Sequence, residues 1–179
     1  YCKKKRIKYE LDSKEKASLK NKIHTCLDEI FFSNKNIETA SLYSPINNEI
    51  SPFAFVNYLQ KKDVTLSLPV ICTKNKSLKF REWIPNDKLT PGPFGTLEPS
   101  KNQKSVAPQI LVAPMLSFDK ELYRLGYGGG YYDKSIDILK KHFKKEKKFF
   151  ITVGLSYSEQ EIDQIPYENH DMNLDYIVT

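Results

Sequence analysis

The sequence predicts a three-layer α/β/α sandwich built on a mostly parallel sheet, and three observations carry that expectation. Helical and strand-like periods alternate along the chain, the order that produces crossover connections between parallel strands. Two runs, Gln109-Ile-Leu-Val-Ala-Pro114 and Phe149-Phe-Ile-Thr-Val153, are apolar almost without interruption rather than alternating, as strands covered on both faces are. The 179 residues, 40% of them hydrophobic, suffice for one core, and with no linker or internal repeat they predict one domain over residues 1–179.

Taken in order, Leu19, Ile23, Cys26, Leu27 and Ile30 recur at helical spacing behind the cap-type residue Ser13, which predicts a first helix from Ser13 to Phe31. Thr39-Ala-Ser-Leu-Tyr43 reads as a short strand. Ser51-Pro52 has the cap-plus-proline form of a helix start, with Phe55, Val56 and Leu59 as its apolar face. Val64 to Ile71 is strand-like, and Leu78-Lys-Phe-Arg-Glu-Trp83 alternates as a half-exposed strand does. Pro91, Gly92, Pro93, Gly95 and Pro99 make the stretch between Pro85 and Pro108 a long loop without regular structure, of the kind that is usually functional. After the buried run ending at Pro114, Tyr132, Ile136, Leu139 and Phe143 restart the helical period, and Asp175-Tyr-Ile-Val178 forms a last strand.

No apolar run approaches the roughly 18 residues that a membrane-spanning helix needs. The charged start Tyr1-Cys2-Lys3-Lys4-Lys5-Arg6 leads into no apolar signal segment, so a cytoplasmic location is expected, and with Tyr1 rather than Met in first place the natural N-terminus is expected upstream. Cys2, Cys26 and Cys72 are an odd number at unrelated spacings and read as free thiols. The net charge of +6 raises the question of nucleic acid. Eleven of the 28 basic residues, however, fall in two clusters, Lys3 to Lys8 and Lys140 to Lys148, on a body otherwise richer in acids. Such clusters are ordinarily solvated faces.

The densest chemistry lies in Arg124-Leu-Gly-Tyr-Gly-Gly-Gly-Tyr-Tyr-Asp133, which opens into the predicted helix. Glycines let the backbone turn tightly and approach a ligand, and the unbonded amides of a helix start favour an anion. The dinucleotide fingerprint fails because Tyr131 stands where its third glycine belongs, and no Gly-Lys-Ser/Thr of a Walker loop follows. A structural turn is the competing reading. Arg124 before the loop and Asp133 after it favour a phosphate site, since a guanidinium neutralises phosphoryl oxygens and a carboxylate holds the Mg²⁺ of a nucleotide.

This ten-residue segment resembles the signature of the 5-formyltetrahydrofolate cyclo-ligases, also called methenyltetrahydrofolate synthetases. The resemblance extends to Tyr43-Ser-Pro-Ile-Asn-Asn-Glu-Ile50, Phe80-Arg-Glu-Trp83, the loop from Gly95 to Pro99, Leu111 to Asp119, Val153-Gly-Leu155 and Pro166 to Thr179. It implies a fold similar to that of ribose-phosphate isomerase and coenzyme A transferases. The reaction it implies converts 5-formyltetrahydrofolate and ATP, with Mg²⁺, to 5,10-methenyltetrahydrofolate, ADP and phosphate.

Carried over by resemblance, Arg124, Leu125, Gly126, Tyr127, Gly128, Gly129, Gly130, Tyr131 and Tyr132 would bind ATP, with Arg124 catalytic. Ser44, Glu49 and Trp83 would bind the folate together with Tyr127, Gly128, Gly129, Gly130 and Tyr131, and Asp133 and Asp171 would share the metal. His170 would be a neighbour rather than a ligand. Two departures stand out. The family's N-terminal Lys and Arg that touch ATP align at or before Tyr1, and Ser44 replaces a larger apolar residue of some members, which implies a roomier folate pocket. A monomer acting on these two small molecules, without nucleic acid or membrane, is the expectation. A sugar-phosphate isomerase or acyl transferase on the same fold would need a carboxylate base or nucleophile, for which Glu49 is available. An RNA-binding module would use the lysine clusters with Tyr127, Tyr131 and Tyr132 as stacking faces.

Overall fold

The computed structural model describes residues 10–73, 77–168 and 171–179. Cys2, the cluster Lys3 to Lys8 and His170 lie outside the described residues. Helix α1 runs Ser13–Ser33, and its cap is Asp12, not Ser13. The reason is legible in Asp12-Ser-Lys-Glu15: the Asp12 side chain accepts the Glu15 amide at 2.8 Å while the Glu15 carboxylate accepts the Asp12 amide at 2.8 Å. Ser13 has Lys16 at the reciprocal position and cannot close that box, which stabilises a helix start by about 1 kcal/mol.

The central sheet is formed by β1 (Thr39–Ser41), β2 (Thr65–Cys72), β3 (Ser77–Glu82), β6 (Ile110–Pro114), β9 (Ile151–Leu155) and β10 (Tyr176–Val178), in the order β10-β9-β6-β1-β2-β3. Every neighbour pair is parallel except β2 and β3. In β6, Ile110 and Val112 enter the core beneath α1 and α2 (Phe53–Gln60), whereas Leu111 and Ala113 enter the core beneath α3 (Tyr131–Glu146). The uninterrupted apolar run is thus a strand whose two faces are both covered, and the three layers follow. Leu19, Ile23, Cys26, Leu27 and Ile30 form the buried stripe of α1, and Ile136, Leu139 and Phe143 that of α3. Each fully buried Ile or Leu among them contributes roughly 2 kcal/mol.

The stretch expected to lack regular structure between Pro85 and Pro108 contains a small hairpin, β4 (Thr90–Pro91) with β5 (Leu97–Glu98), bridged by a 3-10 turn at Pro93–Gly95. Prolines are tolerated because each strand is only two residues long and pairs on one edge. Further on, residues 104–106 bond to β3 through Glu82 N to Lys104 O (2.8 Å) and Val106 N to Phe80 O (2.9 Å), covering an edge that would otherwise be open. A second hairpin unexpected from the sequence, β7 (Ser117–Phe118) with β8 (Arg124–Leu125), leaves the carboxyl end of β6 and delivers the chain to the glycine loop. Ligands of such sheets bind beyond the carboxyl ends of the strands, and the glycine loop emerges there.

Candidate active site

Gly128 and Gly130 adopt φ of +83° and +65°, conformations in which a Cβ is strained, and Gly130 is the left-handed cap of α3. No side chain caps this helix, so its first amides are left for a ligand, with Asp133 the acidic residue of the first turn. The hairpin aims Arg124 back at that turn. Its Nη2 donates to Asp133 Oδ1 at 2.8 Å, and its Cζ lies 5.4 Å from the centre of the Tyr132 ring. The Arg124 side chain is only 4% exposed, and its Nε is buried without a hydrogen-bond partner. A buried cationic donor left over at a helix start is a group prepared for an anion.

Two other loops converge on this turn. From the carboxyl end of β1, residues 44–50 bring Asn47 Nδ2 to 3.4 Å from the Tyr127 hydroxyl. Glu49, whose Oε2 accepts the Ile46 amide at 2.9 Å, lies within electrostatic reach of Tyr132. The Tyr132 hydroxyl is held well above the ordinary phenol range, first by burial and then by the Glu49 charge, with Arg124 acting in the opposite direction. Ser44 sits partly buried in the same β1 loop. The β4–β5 hairpin is fastened to the carboxyl half of β2 by Ile71 N to Glu98 Oε1 at 2.9 Å, and it places the Phe94 ring 6.3 Å edge-on from Tyr131. Phe94 is 70% exposed with φ +60°, an uncommon state for a bulky residue.

Asp133 and Asp171 are brought into one neighbourhood through the chain beside Asp171. The Met172 amide lies 3.4 Å from Asp133 Oδ1, while Asp171 Oδ2 accepts the Glu168 amide at 2.8 Å. Among the described residues no group of three His, Cys, Asp or Glu forms a metal centre. Two carboxylates in one neighbourhood still suit Mg²⁺, which takes one or two and completes its shell with phosphate oxygens and water.

Trp83 makes a hydrogen bond and a ring contact that lie apart from the first turn of α3. Its amide bonds to Leu66 O at 2.9 Å, which sets it level with the amino ends of the parallel strands, and its ring packs against Phe53 at 6.0 Å in the core beneath α1 and α2. The half-exposed alternation of Leu78 to Trp83 gives the strand but not its direction; because β3 runs antiparallel, its last residues finish at the end away from the glycine loop. The lysine cluster from Lys140 onward is displaced from this turn, its first member lying about 13 Å along α3 from Tyr131. Lys141 there pairs with Asp137 at 2.7 Å and Lys148 with Glu38 at 3.3 Å. Asn47 and Phe94 were not singled out by sequence reasoning. The only signal for Phe94 was its place between Pro93 and Gly95, and Asn47 was marked only by lying within the resembling segment Tyr43 to Ile50.

Residues 3–179 match the profile of the 5-formyltetrahydrofolate cyclo-ligase family. The chain is 34% identical over 145 residues to a 5-formyltetrahydrofolate cyclo-ligase of Haemophilus influenzae, covering 78% of this chain and 73% of that one. It is 27% identical over 160 residues to one of Mycoplasma genitalium, covering 89% and 86%. In three dimensions it is similar to the 5,10-methenyltetrahydrofolate synthetase of Aquifex aeolicus, with a TM-score of 0.67 and 28% identity over 99% of this chain and 84% of that one. The fold is shared as well with the Mycoplasma pneumoniae synthetase, at a TM-score of 0.69 and 24% identity over 99% and 93%.

Proposed function

The chain belongs to the 5-formyltetrahydrofolate cyclo-ligase family, and from that premise we propose how its residues close 5-formyltetrahydrofolate to 5,10-methenyltetrahydrofolate with conversion of ATP to ADP and phosphate. The formyl oxygen is a poor leaving group. It therefore attacks the γ-phosphorus as the bond to the β-phosphate oxygen breaks and ADP departs, with the N5 lone pair sharing the positive charge that develops on the formyl carbon. N10 then adds to that carbon, its proton is lost, and the C–O bond breaks to release phosphate.

Phosphoryl transfer asks the protein for position and charge rather than for a nucleophile. The observation that carries the reading is the buried Arg124 guanidinium with its unpartnered Nε at the start of α3. It would neutralise the moving phosphoryl group, while the loop from Leu125 to Gly130 and the first amides of α3, at Tyr131 and Tyr132, cradle the nucleotide phosphates. Asp133 and Asp171 would hold Mg²⁺, which supplies charge neutralisation to the phosphates. Glu49 would accept the paired amino and ring N–H donors of the pterin, with Ser44, Tyr127 and Tyr131 along the folate path. Trp83 has no part in this scheme.

Folate labelled with ¹⁸O in the formyl group tests the order of events. The label should be recovered in inorganic phosphate; label recovered in water alone would refute phosphorylation of the formyl oxygen.

A further inference from the structure

Asp119 is a carboxylate only 2% exposed, and it accepts three backbone amides. Oδ1 takes Glu121 N and Tyr123 N, each at 3.0 Å, which shapes the turn of the β7–β8 hairpin. Oδ2 takes Ile165 N at 2.8 Å, from a segment 46 residues away in sequence. That segment, in its described residues 161–168 and 171–174, is tied to the hairpin at three further points. Ile162 N bonds to Phe118 O at 2.9 Å, the Tyr167 ring stacks on Tyr123 at 4.1 Å, and Leu174 N bonds to Leu122 O at 2.9 Å. The second strand of the hairpin carries Arg124, and the segment carries Asp171 and the Met172 amide that meets Asp133.

From this we infer that Asp119 is a positioning residue for the nucleotide half of the site: its two oxygens tie the hairpin bearing Arg124 to the segment bearing Asp171, so that both arrive together at the start of α3. The inference rests on the cyclo-ligase reading for its kinetic consequence, but the tie itself is a matter of geometry. An amide shows why both oxygens are needed. In Asp119→Asn the remaining oxygen still accepts Glu121 N and Tyr123 N, whereas the new NH₂ faces the Ile165 N–H donor to donor. The hairpin turn is kept and the tie is lost.

The test compares full-length wild type, Asp119→Asn and a control, Asp175→Asn. Asp175 is another internal tie, its Oδ2 accepting Thr152 N and Oγ1 at 2.7 Å each, but at the amino end of β9. Amide hydrogen exchange is read at Ile165, and KM is measured separately for ATP at saturating Mg²⁺ and for 5-formyltetrahydrofolate. Asp119→Asn should speed exchange at Ile165 and raise KM for ATP, each about tenfold, the fold-change of one lost charge-assisted hydrogen bond, and leave the folate KM within about twofold. Asp175→Asn should lower stability without that split.

Faster exchange with an unchanged ATP KM, equal changes in both KM values, or an Ile165 amide still protected would each overturn the proposal. If Asp119→Asn fails to fold, Tyr167→Ala removes the stacking tie at a half-exposed position; it should give a smaller rise in the ATP KM alone, and no rise would overturn it. If wild type forms no methenyl product, the cyclo-ligase reading fails. Calorimetric Kd for ATP with Mg²⁺, alongside the exchange data, then decides the role of Asp119 by the same fold-change.

Discussion

Replacing Arg124 by Ala removes a guanidinium that is 4% exposed, paired at 2.8 Å with a carboxylate that is 16% exposed, and stacked on Tyr132. Breaking a fully buried pair from one side costs about 3–5 kcal/mol. Asp133 keeps some solvent and the Met172 amide, so about 2 kcal/mol of stability should be lost, read as a shift in a urea unfolding curve. The effect on turnover is expected to be larger, about 10²- to 10³-fold, because a preorganised donor to the transferring phosphoryl group disappears while the folate contacts remain. Asp133→Ala in the Arg124→Ala background should recover part of the stability by removing the stranded carboxylate, and none of the rate. Arg124→Lys should keep more stability than rate, since an ammonium retains the charge but not the stacked plane. A stable Arg124→Ala enzyme with turnover within about fivefold of wild type, against that expected loss, would refute the catalytic role and leave Arg124 a structural partner of Asp133.

Glu49→Gln should raise the folate KM about tenfold through loss of a charged acceptor and leave the ATP KM nearly unchanged; equal changes in both would contradict its place against the pterin. Trp83→Phe should lower stability by about 1–3 kcal/mol through the cavity it leaves in the core, with turnover unaltered in steady-state assays, and a selective rise in the folate KM would return Trp83 to the site. Burial first, and the Glu29 charge second, push the Cys26 thiol from its ordinary 9.0 up to about 11. The folded state therefore keeps a proton that the unfolded chain gives up, so this contribution is fully present below pH 9.0 and is lost as pH rises through about 11. About 2 kcal/mol of stability should disappear over that window, and Cys26→Ala should flatten the decline in unfolding free energy against pH.

The layers of the fold were legible because burial writes a period into the sequence. The stripe from Leu19 to Ile30 and the unbroken run from Ile110 to Ala113 admit few other structures. The glycine loop was legible for a different reason: Arg124, the glycines and Asp133 lie within one short segment, and local chemistry needs no knowledge of topology. What could not be read depends on pairings distant in sequence. The direction of β3, which sets Trp83 beside Leu66, follows from its antiparallel pairing with β2 and not from any pattern in Leu78 to Trp83. The approach of Asn47 to Tyr127, 80 residues apart, and of Ile165 to Asp119, 46 apart, leaves no local trace. Even the Asp12 cap was a local signal that a neighbouring Ser13 masked.

The most direct test of the central claim is the near-ultraviolet absorbance of the methenyl product when the purified protein meets 5-formyltetrahydrofolate, Mg²⁺ and ATP, with ADP and phosphate assayed in the same mixture. One ADP and one phosphate are expected for each methenyl group formed, and no product when ATP is withheld. Product forming at an undiminished rate without ATP, or ATP turning over without product, would contradict it.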